Sequence, residues 1–133
     1  MEAQAYGFGC DLGVGMEEAL RKTTDALKQE GFGVLTTIDV QATMKAKLGV
    51  EVKPYLILGA CNPNLAYRAL QAEPELGLLL PCNVIVYDKG DGTSRVSVID
   101  PYQMMGFVQN PALDAIADEA ASRLHRVVES LQG

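Results

Sequence analysis

The chain has 133 residues, which suits one domain, and we expect a single domain over residues 1–133. With 48% hydrophobic and 21% charged residues, its composition is typical of a globular protein that needs no disulfide or metal to fold. The net charge of −6 argues against nucleic acid as a partner, because phosphate binding needs a basic face.

The sequence also predicts where the protein works. Residues 1–9 lack the basic and apolar regions of a secretory signal, and no apolar run is long enough for a membrane helix. We therefore expect a cytoplasmic protein with no membrane partner. Its three cysteines would be reduced there, and an odd number does not suit a closed disulfide framework.

The first predicted element is a strand in which glycine alternates with larger residues. Tyr6 to Val14 shows the period of two that is typical of a strand with one packed face. The opposite face carries Gly7, Gly9 and Gly13 and is nearly bare. Since glycine weakens a strand, this face predicts close approach by another backbone or a ligand.

Helices and strands then follow one another along the chain. Caps, turn residues and hydrophobic periodicity predict helix 16–30, strand 33–38, a short helix capped by Asp39 and ended by Gly49, strand 55–60, a helix from Pro63 to about Ala72, strands 84–88 and 93–99, loop 100–110, and a final helix from Pro111 to about Leu131. A hairpin followed by a long amphipathic helix favours an α+β domain with two layers over a parallel α/β sheet.

Three linked motifs carry a resemblance to a known family. They are Tyr55 to Pro63, Leu79 to Val84, and Ile99 to Pro101, and Asp39 and the C-terminal helix fit with them. Together they resemble the DUF302 family of bacterial and archaeal proteins, in the branch that carries cysteine in both of the first two motifs. The resemblance covers essentially the whole chain.

The resemblance implies a fold but no activity. It implies a TBP-like arrangement, in which a curved, mainly antiparallel, five-stranded sheet carries the first and last helices on one face, often in a homodimer. No function is assigned to the family, and a TBP-like topology does not imply DNA binding, because function must be argued from a site.

Cys61 and Cys82 are the candidate reactive groups, each beside an asparagine at the end of an apolar run. In the functional interpretation, both thiols lie at one edge of the sheet, and the N-terminus of the helix at Asn62 lowers the pKa of Cys61. In the structural interpretation, which the pattern favours, the cysteines are small buried residues and Asn62-Pro63 is only a helix start.

A metal or phosphate site is less well supported. Cys61, Cys82 and His125 could supply three ligands, but the sequence has no CxxC and only one histidine, which is more typical of a residue at the boundary of the core. The glycine-rich segment 7–15 lacks the spacing of a phosphate loop. The sequence indicates no particular cofactor.

Two functional hypotheses remain open. The first is a non-enzymatic domain, a homodimer, that binds a small molecule or a partner through candidate residues Cys61, Asn62, Cys82, Asn83 and Asp100. The second is a thiol-dependent redox or metal-handling protein that uses the two cysteines of these motifs. The uncharged segment 102–107 would be a lid over the site, a dimer interface, or a loop packed on its own sheet.

Overall fold

The computed structural model describes all 133 residues as an α+β domain built on one antiparallel sheet. Its strands are β1 (Glu2–Ala3), β2 (Gly7–Leu12), β3 (Gly33–Asp39), β4 (Tyr55–Cys61), β5 (Cys82–Asp88) and β6 (Ser94–Ile99). Its helices are α1 (Met16–Gln29), α2 (Val40–Leu48), α3 (Pro63–Ala72), α4 (Pro101–Gly106) and α5 (Asp114–Gln132). Two short 3₁₀ helices, Pro74–Leu79 and Pro111–Leu113, complete the chain.

The sheet has six strands, in the order β1-β2-β6-β5-β4-β3, where the sequence predicted five. The additional strand, β1, pairs only Glu2 and Ala3 with β2. Two residues are too few to show hydrophobic alternation, so no sequence pattern predicts this strand. The turn that joins it to β2 is closed by the N–H of Gln4, which donates to the carbonyl of Gly7 at 2.7 Å. Arg95 on β6 also donates to the carboxylate of Glu2 at 2.8 Å.

The bare glycine face of β2 lies against the backbone of β6. A Cβ on Gly7 would stand 2.7 Å from the carbonyl oxygen of Val98, and one on Gly9 would overlap the carbonyl oxygen of Val96. The two strands pair over their whole length, from Gly7 opposite Ile99 to Leu12 opposite Ser94. Gly7 and Gly9 therefore allow another backbone to approach closely. This is one of the two explanations that the sequence predicted, the other being a ligand.

Helix α1 ends in the local geometry that its sequence predicts. Gly31 takes the left-handed conformation at φ +81°, and its N–H donates to the carbonyl of Lys28 at 3.0 Å. The N–H of Phe32 donates to the carbonyl of Leu27 at 2.9 Å, and the Phe32 ring is buried. This pair of bonds is the Schellman arrangement, which turns the chain from α1 into β3.

The first core lies between the sheet and the helices α1 and α5. It consists of Phe8, Cys10, Leu12, Ala19, Ala26, Leu27, Phe32, Leu58, Ala60, Val84, Val86, Val96, Val98, Leu124, Val127 and Val128. Alternate residues of each central strand face these helices, as the period of two requires. The first and last long helices therefore pack on one face of the sheet, in agreement with the predicted two-layer fold.

The second core lies beyond one end of the sheet, among α3, α4 and the first turns of α5. It consists of Leu65, Ala69, Leu76, Cys82, Met104, Met105, Leu113, Ile116, Ala117 and Ala120. Part of it comes from segment 100–110, for which the prediction of a loop is wrong. Residues 101–106 form α4, because the Asp100 carboxylate accepts the N–H of Tyr102 at 2.9 Å and Pro101 opens the helix.

The helices of this domain are short or strongly charged on one side. The longest, α5, has 19 residues and carries charged side chains along its exposed face. None of the helices combines the length and the hydropathy that a membrane span requires.

Candidate functional site

A largely apolar pocket lies where β3, β4 and β5 meet the helices of the second core, and we call it the thiol pocket. Its volume is about 320 Å³. It is lined by Phe32, Leu35, Thr36, Ala60, Cys61, Asn62, Leu65, Ala66, Ala69, Leu70, Leu80, Pro81, Cys82, Met105 and Ala120. No charged residue is among them, so the pocket offers a ligand apolar contact and only a few polar atoms.

Both candidate thiols line this pocket. Cys61 is the last residue of β4, and Cys82 is the first residue of β5. The antiparallel register places Cys82 opposite Ala60, so the two cysteines stand at the same end of the sheet. Cys82 is buried, Cys61 is half-buried, and neither takes part in a disulfide bond.

Burial dominates the acidity of both thiols. It raises the pKa of the Cys61 thiol above its ordinary value. It raises the pKa of Cys82 further, to about 11, and negative charge on Cys61 adds to the effect. The sequence hypothesis of a lowered pKa for Cys61 is therefore wrong in direction. The pKa is raised because a thiolate in apolar surroundings loses its hydration.

Asn62 begins α3 at the edge of the pocket. Its side-chain oxygen accepts the N–H of Leu65 at 3.2 Å, and Pro63 occupies the first helical position. This is the helix start that the Asn-Pro pair predicted. The side chain is almost fully buried and also lines the thiol pocket, so the cap and the pocket share one residue.

Pro81 also lines the thiol pocket. The peptide bond from Leu80 to Pro81 is cis. The proline ring lies against Gly59 of β4, where a Cβ would stand 2.7 Å from the ring carbon Cγ and would overlap the Thr36 hydroxyl. Gly59 is thus required by the close packing of Pro81 on the sheet.

The remaining two predicted residues lie outside the thiol pocket. Asn83 follows Cys82 along β5, so its side chain lies on the opposite face of the sheet, and it is exposed. Asp100 caps α4 with its carboxylate. Three of the five predicted binding residues, Cys61, Asn62 and Cys82, therefore line the thiol pocket. The other two, Asn83 and Asp100, do not.

Asn83 lines a second, smaller groove of about 280 Å³ on the open face of the sheet. Tyr55 and Tyr87, which stack with ring centroids 5.2 Å apart, form part of its wall, together with the buried Arg95. That guanidinium is already paired, because it donates to Glu2 at 2.8 Å and to Asp11 at 3.4 Å. The groove therefore offers an anion no free charge.

The three proposed metal ligands are not brought together. His125 on α5 stacks on Phe8 of β2, with ring centroids 4.0 Å apart, whereas the cysteines stand at the end of β4 and the start of β5. No group of three His, Cys, Asp or Glu side chains has a spacing that could hold a metal ion. The predicted ligand set of Cys61, Cys82 and His125 is therefore wrong, because α5 places the histidine against a different part of the sheet.

Sequence reasoning missed the residues that make room for the pocket. Ala66 and Ala69 on α3, Ala120 on α5 and Met105 on α4 line it beside the thiols. The alanines carried no signal, because alanine in a helix is ordinary. The Asp100-Pro101 pair was a usable signal for α4, since the same device starts α3 at Asn62-Pro63.

Comparison with known proteins finds a family and a solved structure. Residues 8–131 match the family described as "Domain of unknown function DUF302". The chain is similar to an uncharacterized conserved DUF302 protein from Bacillus stearothermophilus whose crystal structure has been solved, with 33% identity and a TM-score of 0.85. The match covers 95% of this chain and 98% of that one. The chain matches no curated protein.

Proposed function

The chain belongs to the DUF302 family, a domain of unknown function, and we propose that this member is a binding domain for a small, largely apolar molecule. The observation that carries the proposal is the thiol pocket, about 320 Å³ in volume with a lining that is almost entirely apolar. Small-molecule sites have this character, with volumes of about 300–1,000 Å³ and a few placed polar groups. This pocket lies at the small end of that range.

The pocket exists because small side chains stand where larger ones would close it. Ala60 on the sheet, Ala66 and Ala69 on α3, and Ala120 on α5 all contribute to its wall. Protein interiors are otherwise packed to a density that leaves few voids larger than a water molecule. A ligand that fills the space would remove this apolar surface from water, which stabilises the complex by about 25 cal/mol for each Å².

Binding can be tested with N-phenylnaphthylamine, a neutral fluorophore whose emission rises when it leaves water. We expect saturable binding to the wild type. Ala66→Leu should weaken binding at least about tenfold, because the added isopropyl group occupies the pocket. Ala72→Leu, on the same helix but outside the pocket, is the matched control and should bind like the wild type. If Ala66→Leu also binds like the wild type, the proposal fails.

A thiol-dependent function is the second proposal. It is favoured by the position of Cys61 and Cys82 in one pocket as free thiols, close enough for charge on one to raise the pKa of the other. The raised pKa values disfavour a nucleophile at neutral pH. A soft metal ion can displace the thiol protons to solvent as it binds, so the handling of such an ion is the better form of this proposal. The proposal is supported if the wild type binds Cu(I) and both Cys61→Ala and Cys82→Ala lose this binding. It is excluded if both variants bind Cu(I) like the wild type.

We also propose that the protein is a cytoplasmic homodimer, as its sequence predicted. Support for the dimer comes from Tyr6, Leu78 and Phe107, whose side chains are 64%, 84% and 82% exposed around one open groove of about 460 Å³. Exposed apolar patches of this kind mark interaction surfaces. Sedimentation velocity should show a dimer that Phe107→Glu dissociates, and a wild-type monomer at every concentration would exclude the dimer. Fractionation of cells would test the location.

A further inference from the structure

The open face of the sheet, which α1 and α5 leave uncovered, has one half with large side chains and one half with small ones. Leu58 faces the first core, so its neighbour Ile57 lies on the open face. The strand register continues a row from Ile57 across the whole sheet. This isoleucine row consists of Gly9 on β2, Ser97 on β6, Ile85 on β5, Ile57 on β4 and Ile38 on β3.

The small half of the face is recessed and the large half is raised. The groove of about 280 Å³ lies over the small half, where Ser97 and Ile85 line it. Gly9 beside it can carry no side chain, because a Cβ there would overlap the carbonyl oxygen of Val96. In the large half, Ile57 is half-buried, and Ile38 projects at the edge of the sheet with 50% of its side chain exposed.

A face with one raised and one recessed half is complementary to a second copy of itself. A two-fold axis parallel to the strands, set between two such faces, reverses the order of the strands in one copy. The β3 strand of each copy then lies over β2 and β6 of the other, so each raised half meets a recessed half. Closed dimers use the same patch on both copies, and facing sheets pack about 10 Å apart with interdigitating side chains.

The charges on this face also suit a second copy. Neither the isoleucine row nor the next row, through Asn83, holds a charged residue, although 21% of the chain is charged. In the third row, Asp11 is paired within its own copy with Arg95 at 3.4 Å and with Lys89 at 2.7 Å. A chain of net charge −6 can therefore meet its own copy here without repulsion between like charges.

The area of the face agrees with a shared interface. Five strands about 4.8 Å apart and six residues long make a flat area of roughly 400 Å², which is about half of the 800 Å² that a standard interface buries on each partner. The groove beside Leu78 and Phe107 extends this surface without a break, because Tyr6, Asn83 and Ile99 line both grooves.

We infer that the open face of the sheet is the surface through which two copies of this chain bind each other, with Ile38 of each copy in the groove of the other. The inference rests on the proposed homodimer and names the centre of its interface. The exposed side chains around Phe107 then form the rim of the same interface.

The test measures the dissociation constant of the dimer by sedimentation velocity, for the wild type, Ile38→Glu, Ile38→Ala and Thr37→Glu. Ile38 is half exposed at the edge of the sheet, so the monomer should keep its fold, which circular dichroism checks. Thr37→Glu is the matched control. It adds the same charge to the same exposed strand, but Thr37 pairs with Leu58 and lies on the other face.

We expect the dissociation constant to rise at least about a hundredfold in Ile38→Glu, which would bury a carboxylate without a partner, and about tenfold in Ile38→Ala. Thr37→Glu should stay within about threefold of the wild type. Equal weakening by Thr37→Glu and Ile38→Glu would overturn the inference. A dimer that Phe107→Glu dissociates but Ile38→Glu leaves intact would also overturn it, while the proposed dimer stands. A wild type that is a monomer at every concentration would remove both.

Discussion

The two hydrophobic cores of this domain are built from different side chains and have different consequences. The first core, between the sheet and the long helices, is dominated by leucine, valine and phenylalanine. The second, beyond the end of the sheet, has two methionines and no valine or phenylalanine, and alanine makes up three of its ten residues against three of sixteen in the first. Stiff, branched side chains fill a strand–helix layer well, whereas alanine leaves space and methionine adapts to it.

The thiol pocket follows from this difference. Most of its buried lining residues belong to the second core, and only Phe32 and Ala60 come from the first. A region assembled from short segments and small side chains encloses open space more readily than a continuous layer does. We therefore regard the first core as the source of stability and the second as the source of a binding site.

The largest effect should come from removing a large side chain from the first core. Leu124 on α5 is fully buried, and Leu124→Ala should lower the free energy of unfolding by about 3–4 kcal/mol. Met105→Ala, in the second core, should lower the free energy of unfolding by about 2 kcal/mol. The loss is smaller because Met105 already borders the thiol pocket, so the substitution enlarges an existing space and does not create a new closed cavity. Urea unfolding followed by circular dichroism measures both, and equal losses would contradict the contrast between the cores.

The next effect concerns pH and the Cys82 thiol. Its pKa is about 11 in the folded protein, against an ordinary value of 9.0, so the folded state holds this proton more tightly than the unfolded state does. The stability that follows is fully present below pH 9 and is lost as pH rises through 11. Two pKa units correspond to about 2–3 kcal/mol.

The measurement is the free energy of unfolding as a function of pH for the wild type and for Cys82→Ala. We expect the variant to lose about 2–3 kcal/mol less than the wild type between pH 9 and 11. Cys10→Ala is the control from the first core, where burial also raises the pKa but Arg95 opposes the shift. Parallel pH curves for the wild type and Cys82→Ala would show that Cys82 is not buried as described.

A smaller effect should separate the two Asn-Pro helix starts. Asn110→Ser removes the donations to Ala72 and Glu73 that tie the start of α5 to the end of α3, and it should lower the free energy of unfolding by about 1–2 kcal/mol. Asn62→Ser keeps a cap and loses no other bond, so its loss should stay below about 0.5 kcal/mol. A reversed order, measured by urea unfolding, would contradict this difference between the two asparagine side chains.

The smallest effect should come from polar contacts on the surface of either region. Tyr102 on α4 donates its hydroxyl to Asp118 at 2.7 Å, and Arg126 on α5 donates to Glu30 at 3.0 Å. Tyr102→Phe and Arg126→Met should each lower Tm by about 1–3 °C, since exposed contacts contribute little. A much larger fall for Tyr102→Phe would show that this bond, rather than Met104 and Met105, holds α4.

Local signals in the sequence determined much of the fold. Asp39, Asn62 and Asn110 cap the segments that follow them, and Gly31 and Gly49 end helices in the left-handed conformation. Such signals act within a few residues, so they can be recognised without knowledge of the tertiary structure. The same reasoning missed α4 only because Asp100-Pro101 was not recognised as a third pair of this kind.

The sequence pointed to the pocket through Cys61, Asn62 and Cys82, but only the tertiary structure decided what these residues have in common. Whether a thiol gains or loses acidity depends on how much apolar surface surrounds it, and that surface comes from segments far apart in the chain. The period of two could have separated Asn83 from Cys82, but two residues are too few for a pattern that would have predicted β1. Capping is a local property, whereas burial and open space are properties of the assembled chain.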